Sequence, residues 1–304
     1  MKKRISIIIL VILSVCVTNA QDIIRTITAG NWTNTLEKDV TYTLEPFGSN
    51  INIKEGETNL FSLALPVMLT FSSTLDPMYD EGVIINGIKW ATRNVAAHGK
   101  FVEKPEDYGA IFQWGRKGDG HEQRTSPNYP TNDTNPENGA VSSSENFDEN
   151  GQIVNTHAAF GKFIKQVDSP RDWRIPQINT LWNSGSEAAP IKTANDPCPD
   201  GWRVPTHADL NSLTQNILIW TTENGVNGYR LTDNATGNSL FLPATGARNY
   251  ETGAFSTVGE YGSYWTSASG NTEAHYLVFG SDFFETYYII YRAFGLSVRC
   301  VAEQ

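Results

Sequence analysis

The sequence lacks a second long apolar run, is poor in basic residues, and holds only three cysteines and five histidines among 304 residues. Each shortage excludes something. A membrane-spanning helix needs about 20 apolar residues. The run Ile5 to Val17 is shorter, and Leu60 to Phe71 is interrupted by Ser62 and Pro66, so no transmembrane span is expected. The first run follows Met1-Lys2-Lys3-Arg4 and precedes Thr18-Asn19-Ala20. That order of basic, apolar and small residues reads as a secretory signal peptide over residues 1–20. The competing reading is lipidation at Cys16, since Leu13-Ser14-Val15-Cys16 partly resembles a lipobox, with Val15 a poor fit. The chain is therefore read as exported, to the cell surface or the extracellular space. A periplasmic location and attachment to the surface both stay open.

Removal of residues 1–20 takes Lys2, Lys3 and Arg4, leaving 20 basic residues against 33 acidic ones and a net charge of −13. Such a surface repels phosphate backbones and anionic lipid, which excludes nucleic acid as a partner. Catalytic signatures are missing too. There is no nucleophile elbow, phosphate loop or paired-carboxylate motif. His98, His121, His157, His207 and His275 are scattered without metal-ligand spacing. Asp119, Asp148 and Glu149 are loop acids, read as solvated rather than as calcium ligands. The expectation is a protein that is not an enzyme, with no catalytic residue, no metal and no cofactor.

Cys198 and Cys300 remain after Cys16 leaves with the signal. An even pair in an oxidising compartment is expected to be bridged. A two-cysteine metal site is the alternative, and it lacks a second pair of nearby ligands.

Residues 21–80 show short β-type alternation at Thr26-Ile27-Thr28, Thr41-Tyr42-Thr43-Leu44 and Ile51-Asn52-Ile53. They read as a small β-rich module or packing arm. Asp76 to Gly82 reads as a linker. Val83 to Trp90 places Asn86-Gly87 between two β-rich runs, which predicts a hairpin with a type I′ turn. Gly115 to about Thr156 has almost no apolar periodicity and reads as a long, solvated or functional loop. Asp172-Trp173-Arg174-Ile175-Pro176 echoes Gly201-Trp202-Arg203-Val204-Pro205, too briefly for a repeat architecture. Thr206 and Asp209 predict a capping box. Leu210, Leu213, Ile217 and Leu218 predict a buried helical stripe running to about Ile217. Strands follow at Leu240 to Pro243, Glu260 to Ser267, Ala274 to Phe279 and Phe283 to Tyr291, with Leu296, Val298 and Cys300 facing the core.

Several of these segments carry a family resemblance. They are Gly82 to Val95, Glu106-Asp107-Tyr108-Gly109 with Gln113-Trp114, Asn195 to Thr206, and Phe241-Leu242-Pro243-Ala244. Gly262-Ser263-Tyr264-Trp265-Thr266-Ser267 and Arg292 to Val301 complete the set. In this order they resemble the Fibrobacter succinogenes major paralogous domain family, common in surface proteins of Bacteroidetes. The resemblance implies an α+β, C-type-lectin-like domain over residues 82–304, with twisted antiparallel strands, two helices and long loops. It also implies kinship with formylglycine-generating enzymes and with retroelement variable proteins. It names no ligand. The enzyme branch depends on a redox-active cysteine pair, which two cysteines so far apart do not supply. Calcium lectins carry Trp-Asn-Asp where Trp265 is followed by Thr266-Ser267. Trp90, Trp114, Trp202 and Trp265 sit inside the shared motifs and read as core; Arg203 and Arg299 read as structural hydrogen-bonding groups.

Tyr250, Tyr261, Tyr276, Tyr287 and Tyr291 are the candidate ligand-binding residues, because tyrosine offers rigid contact area with a polar handle. Strand alternation puts Tyr287 and Tyr291 on one face and Tyr288 on the other. The leading expectation is a surface or secreted adhesin-like module that binds a glycan or a protein through loops between Gly246 and Tyr291. The alternatives are a structural subunit of a surface appendage or envelope assembly, docking through residues 21–80, and a metal-dependent oxidase of the formylglycine-generating type.

Overall fold

The computed structural model describes residues 77–130 and 139–303, together with the backbone of six strands between residues 23 and 75. Residues 1–20, with the expected signal peptide and Cys16, lie outside the described residues. The chain separates into two units, Met1–Asp76 and Pro77–Gln304. In the first unit, Trp32–Leu36, Ile23–Ala29 and Thr70–Leu75 form one antiparallel sheet, and Tyr42–Phe47, Asn50–Glu55 and Thr58–Ala64 form another. The apolar run Leu60 to Phe71 contributes to two strands, Thr58–Ala64 and Thr70–Leu75, which lie in different sheets.

The second unit opens on a hairpin. Val83–Ile85 and Ile88–Ala97 pair antiparallel across Asn86 and Gly87, both at positive φ (50° and 80°), as a type I′ turn requires. Asp233 Oδ2 accepts from the Asn86 amide, and the Asn86 side chain donates to Ser212 O. The long strand Ile88–Ala97 then pairs with the last strand of the domain, Arg299–Ala302, which also pairs with Trp202–Arg203. The two ends of the domain therefore share one sheet. The Cys198–Cys300 disulfide ties that sheet to the loop before Trp202, across 102 residues of sequence.

Further sheets hang from this frame. Phe112–Gln113, Gly295–Leu296, Ala247–Arg248 and Phe255–Ser256 form one. Ile217–Glu223, Val226–Thr232 and Ser239–Pro243 form a second, and Gly262–Ser269, Glu273–Gly280 and Phe283–Tyr291 a third. Asn128–Tyr129 and Phe163–Ile164 make one short parallel pair. The fold is mostly β-sheet. Among the described residues there is one α-helix, His207–Ser212, and not two.

That helix starts as its sequence dictates. Asp209 N donates to Thr206 Oγ1 at 3.2 Å, and Thr206 N donates to Asp209 Oδ2 at 2.8 Å. It stops early. A single 3₁₀ turn over Leu213–Gln215 follows, and Ile217 already belongs to a strand. Leu210 and Leu213 are buried as expected, whereas Ile217 is half exposed. The Asn216 side chain donates to Leu213 O, drawing off a terminal carbonyl, and β-branched Ile217 and Ile219 favour the strand that follows.

Two segments differ from their sequence reading. Asp80, inside the supposed linker, is buried. Its carboxylate accepts from Gly82 N, Thr92 N, Thr92 Oγ1 and Arg93 Nε. The supposed solvated excursion after Gly115 also packs. Arg116, His121, Val141 and Ile153 are buried, and the last two share a small core with Trp173 and Leu181. Arg116 donates to Gln113 Oε1, Lys162 O and Ala159 O. Such packing is set by long-range side-chain contacts that leave no local period.

Candidate functional site

The family-motif tryptophans Trp90, Trp114 and Trp265 are fully buried, and Trp202 nearly so. Arg299 donates to Asn94 Oδ1 and Thr92 O, and Arg203 meets Asp209 at 2.7 Å. The shared motifs thus build the frame, and the candidate ligand residues lie on what it carries.

The five tyrosines do not converge. Tyr276 packs on Trp265 at 6.3 Å, inside the sheet. Tyr261 is exposed and rests on Phe283 at 5.3 Å. Tyr250 and Tyr291 do meet, at 5.4 Å, with Arg171 4.6 Å above Tyr291 and Phe294 closing the group. Cation–π stacking of this kind holds the pair half-buried. Tyr287 stands apart and is 62% exposed.

Tyr287 has a neighbour that alternation forbids. Tyr276 pairs with Tyr288 and Val278 with Glu285, so Leu277 faces two residues, Thr286 and Tyr287. This is a β-bulge, and a bulge re-aims the side chains of its strand. Thr286 turns inward and donates to Asn211 Oδ1. Tyr287 and Tyr288 then stack side by side, 4.7 Å apart and 29° from parallel, both exposed. The opposite-face assignment is corrected by this inserted residue. Ile289 is exposed beside them, and among the described residues no strand pairs with the outer edge of Phe283–Tyr291.

Histidines far apart in sequence also meet. His207 and His275 stack at 4.7 Å, which linear spacing does not foretell. Burial lowers the His275 pKa, and neighbouring His207 adds to that. Asp119, His121 and Glu122 form the one group among the described residues whose ligand atoms lie close enough for a metal. Their atoms already have donors. Asp119 accepts from Arg116, from the His121 amide and from His121 Nδ1, while His121 Nε2 accepts from Gln113 N. Glu122 accepts from Gly120 N and Gln123 Nε2. Burial opposes the charge on Asp119, but Arg116 and His121 outweigh it and hold the carboxyl below the ordinary range. The cluster is an internal ion-pair network, chemically unlike an open site.

Asp172 is buried, and that burial raises its pKa to about 6 against the opposing pull of Arg292 and Gln177. A carboxyl whose folded pKa lies above its unfolded value binds its proton more tightly when folded. Its contribution to stability therefore grows as pH falls from 7 through 6 toward the unfolded value. Relative to Asp172→Asn, the wild-type protein should gain about 1 kcal/mol between pH 7 and pH 5. Urea melts of both proteins at the two pH values measure this, and a constant difference would contradict it.

Taken together, these features define a disulfide-bridged, β-rich domain with an exposed aromatic edge strand on a packed core. The chain belongs to the Fibrobacter succinogenes major domain family, whose model matches residues 83–302. No curated protein and no solved structure matches the chain. Among the described residues no helix is long and apolar enough to cross a membrane.

Proposed function

We propose that this protein is an exported recognition module of the cell surface or extracellular space, adhesin-like, on a C-type-lectin-like scaffold. Its ligand is a glycan or protein surface engaged by Tyr287, Tyr288 and Ile289. The observation that carries this reading is the bulge, which sets two tyrosines side by side in solvent on a strand anchored to the core. Aromatic faces held rigid contact a partner at little entropic cost. The bridged, buried cysteines agree with an oxidising compartment. They also leave no free thiol pair for oxidase chemistry among the described residues, which supports a non-catalytic role; metal analysis of the purified protein tests it.

The assembly reading has one observation in its favour. Ile217–Glu223 and Phe283–Tyr291 are both edge strands, and both expose aliphatic residues, Ile217 with Ile219 and Ile289. Open edges of that kind accept a strand from another chain. A glycan array probed with the wild-type protein and with Tyr287→Ser/Tyr288→Ser separates the two. The recognition reading expects binding that falls at least tenfold in the variant. Absence of any glycan or protein ligand, together with concentration-dependent polymers, would replace it with the assembly reading.

A further inference from the structure

Arg174 is 4% exposed, and its Nε and Nη1 have no hydrogen-bond partner. Its guanidinium lies 4.4 Å over the Phe147 ring. Burying an arginine without an acceptor is costly. Nearby Asp172 attracts Arg174 by charge without a side-chain hydrogen bond to it; Asp172 Oδ2 accepts from Gln177 at 3.0 Å and lies 3.8 Å from Arg292, and Oδ1 has no partner. Arg174 lines a cavity of about 560 Å³ between the segment Ser142–Gly151, the stretch following Trp173, and Thr193–Asn195. Asn195 lines it as well. It is buried, its amide donates to Asn150 O, and its Oδ1 has no partner. Two residues of the cavity lining thus carry buried polar atoms without hydrogen-bond partners.

The sequence echo shows what this arginine lacks. In the second copy, Trp202-Arg203-Val204-Pro205, the arginine is satisfied by Asp209, six residues on, at 2.7 Å. In the first copy, Trp173-Arg174-Ile175-Pro176, the residue six on is Thr180, which lines the cavity. The guanidinium is kept, and the carboxylate that hydrogen-bonds it six residues on in the second copy is replaced by a threonine.

We propose that the cavity binds a small monocarboxylate that carries a hydrogen-bond donor on one of the two carbons nearest its acid group. The ligand carboxylate takes at Arg174 the part that Asp209 plays at Arg203. That hydroxyl or ammonium donates to Asn195 Oδ1. Asp148 and Glu149, both exposed on the lining, disfavour a second negative charge, so phosphate and polyanions are rejected. Phe147, Ile178 and Leu181 supply the apolar wall that such sites combine with a few polar groups. A sugar acid and a free amino acid share this chemistry. The site is separate from the tyrosine strand and does not rest on the function proposed for that strand.

Calorimetric titration of the whole protein with galacturonate, serine, galactose and inorganic phosphate tests the proposal. Saturable binding is expected for galacturonate or serine, the preferred one showing whether the donor is hydroxyl or ammonium. Galactose and phosphate should bind at least tenfold more weakly. Arg174→Met should weaken binding at least tenfold. Thr180→Asp supplies a tethered carboxylate, so it should raise the melting temperature, which shows the variant folded, and abolish binding. Four results would overturn the proposal: no saturable binding of either carboxylate at millimolar concentration, galactose binding as well as galacturonate, phosphate preferred over both, or full binding by Thr180→Asp.

Discussion

Replacing both bridged cysteines by alanine should lower the unfolding free energy by about 4 kcal/mol, by the loop-closure argument for a closed loop on the order of 100 residues. The bridge joins positions 102 residues apart. Opening it returns that loop entropy to the unfolded chain. In the folded state the loss is local, since the backbone pairing of Val301 with Trp90 and of Arg203 with Val301 does not depend on the sulfurs. The variant should therefore keep its sheet and lose stability, with a melting temperature lower by roughly 10 °C for a domain of this size. Cys300 is fully buried and Cys198 nearly so. Reductant should consequently reach the bridge slowly under native conditions and quickly once the domain is opened by urea. Calorimetry of the double variant, and urea melts with and without reductant, measure both effects. A double variant as stable as wild type would show that the sheet alone holds the ends together.

How much of this was legible beforehand depends on how local the signal is. The Asn86-Gly87 turn and the Thr206–Asp209 capping box were readable because a few adjacent residues determine them. The buried tryptophans were readable because they sit in motifs shared with a family. The Tyr287–Tyr288 pair was not, because a bulge depends on which residues the neighbouring strand offers, and Tyr276 to Val278 lies in another segment. Helix length failed at Ile217 for a related reason. Its apolar spacing fits a helix, yet pairing of Ile217 with Thr232 claims it for a sheet. The packed segment after Gly115 is held by Arg116, His121 and Gln152, polar residues whose burial depends on distant partners. Arg174 was visible as half of an echo, but only its surroundings reveal that its Nε and Nη1 lack the hydrogen bond that Arg203 makes with Asp209.

Asp80→Ala should destabilise the domain by about 3–5 kcal/mol, the usual consequence of breaking one side of a buried ion pair. The cost comes from what the substitution strands. Arg93 is buried with Asp80 3.1 Å from its Nε, and two backbone amides and the Thr92 hydroxyl converge on the same carboxylate. Arg93 also donates to Val102 O and to Tyr79 O, and Phe101 lies 5.5 Å beneath its guanidinium. One carboxylate thus anchors the entry of the chain to the long strand Ile88–Ala97. Gly82 gives the turn its tight course, since at φ +69° a Cβ would come within 2.6 Å of Trp202. Asp80→Asn keeps an acceptor and should cost less. Asp80→Ala/Arg93→Met removes the stranded charge as well, so it should recover part of the loss. Urea melts across this cycle give the coupling energy. If the double variant were as unstable as the sum of the singles, the two groups would act independently, and the entry turn would be held by backbone geometry rather than by charge.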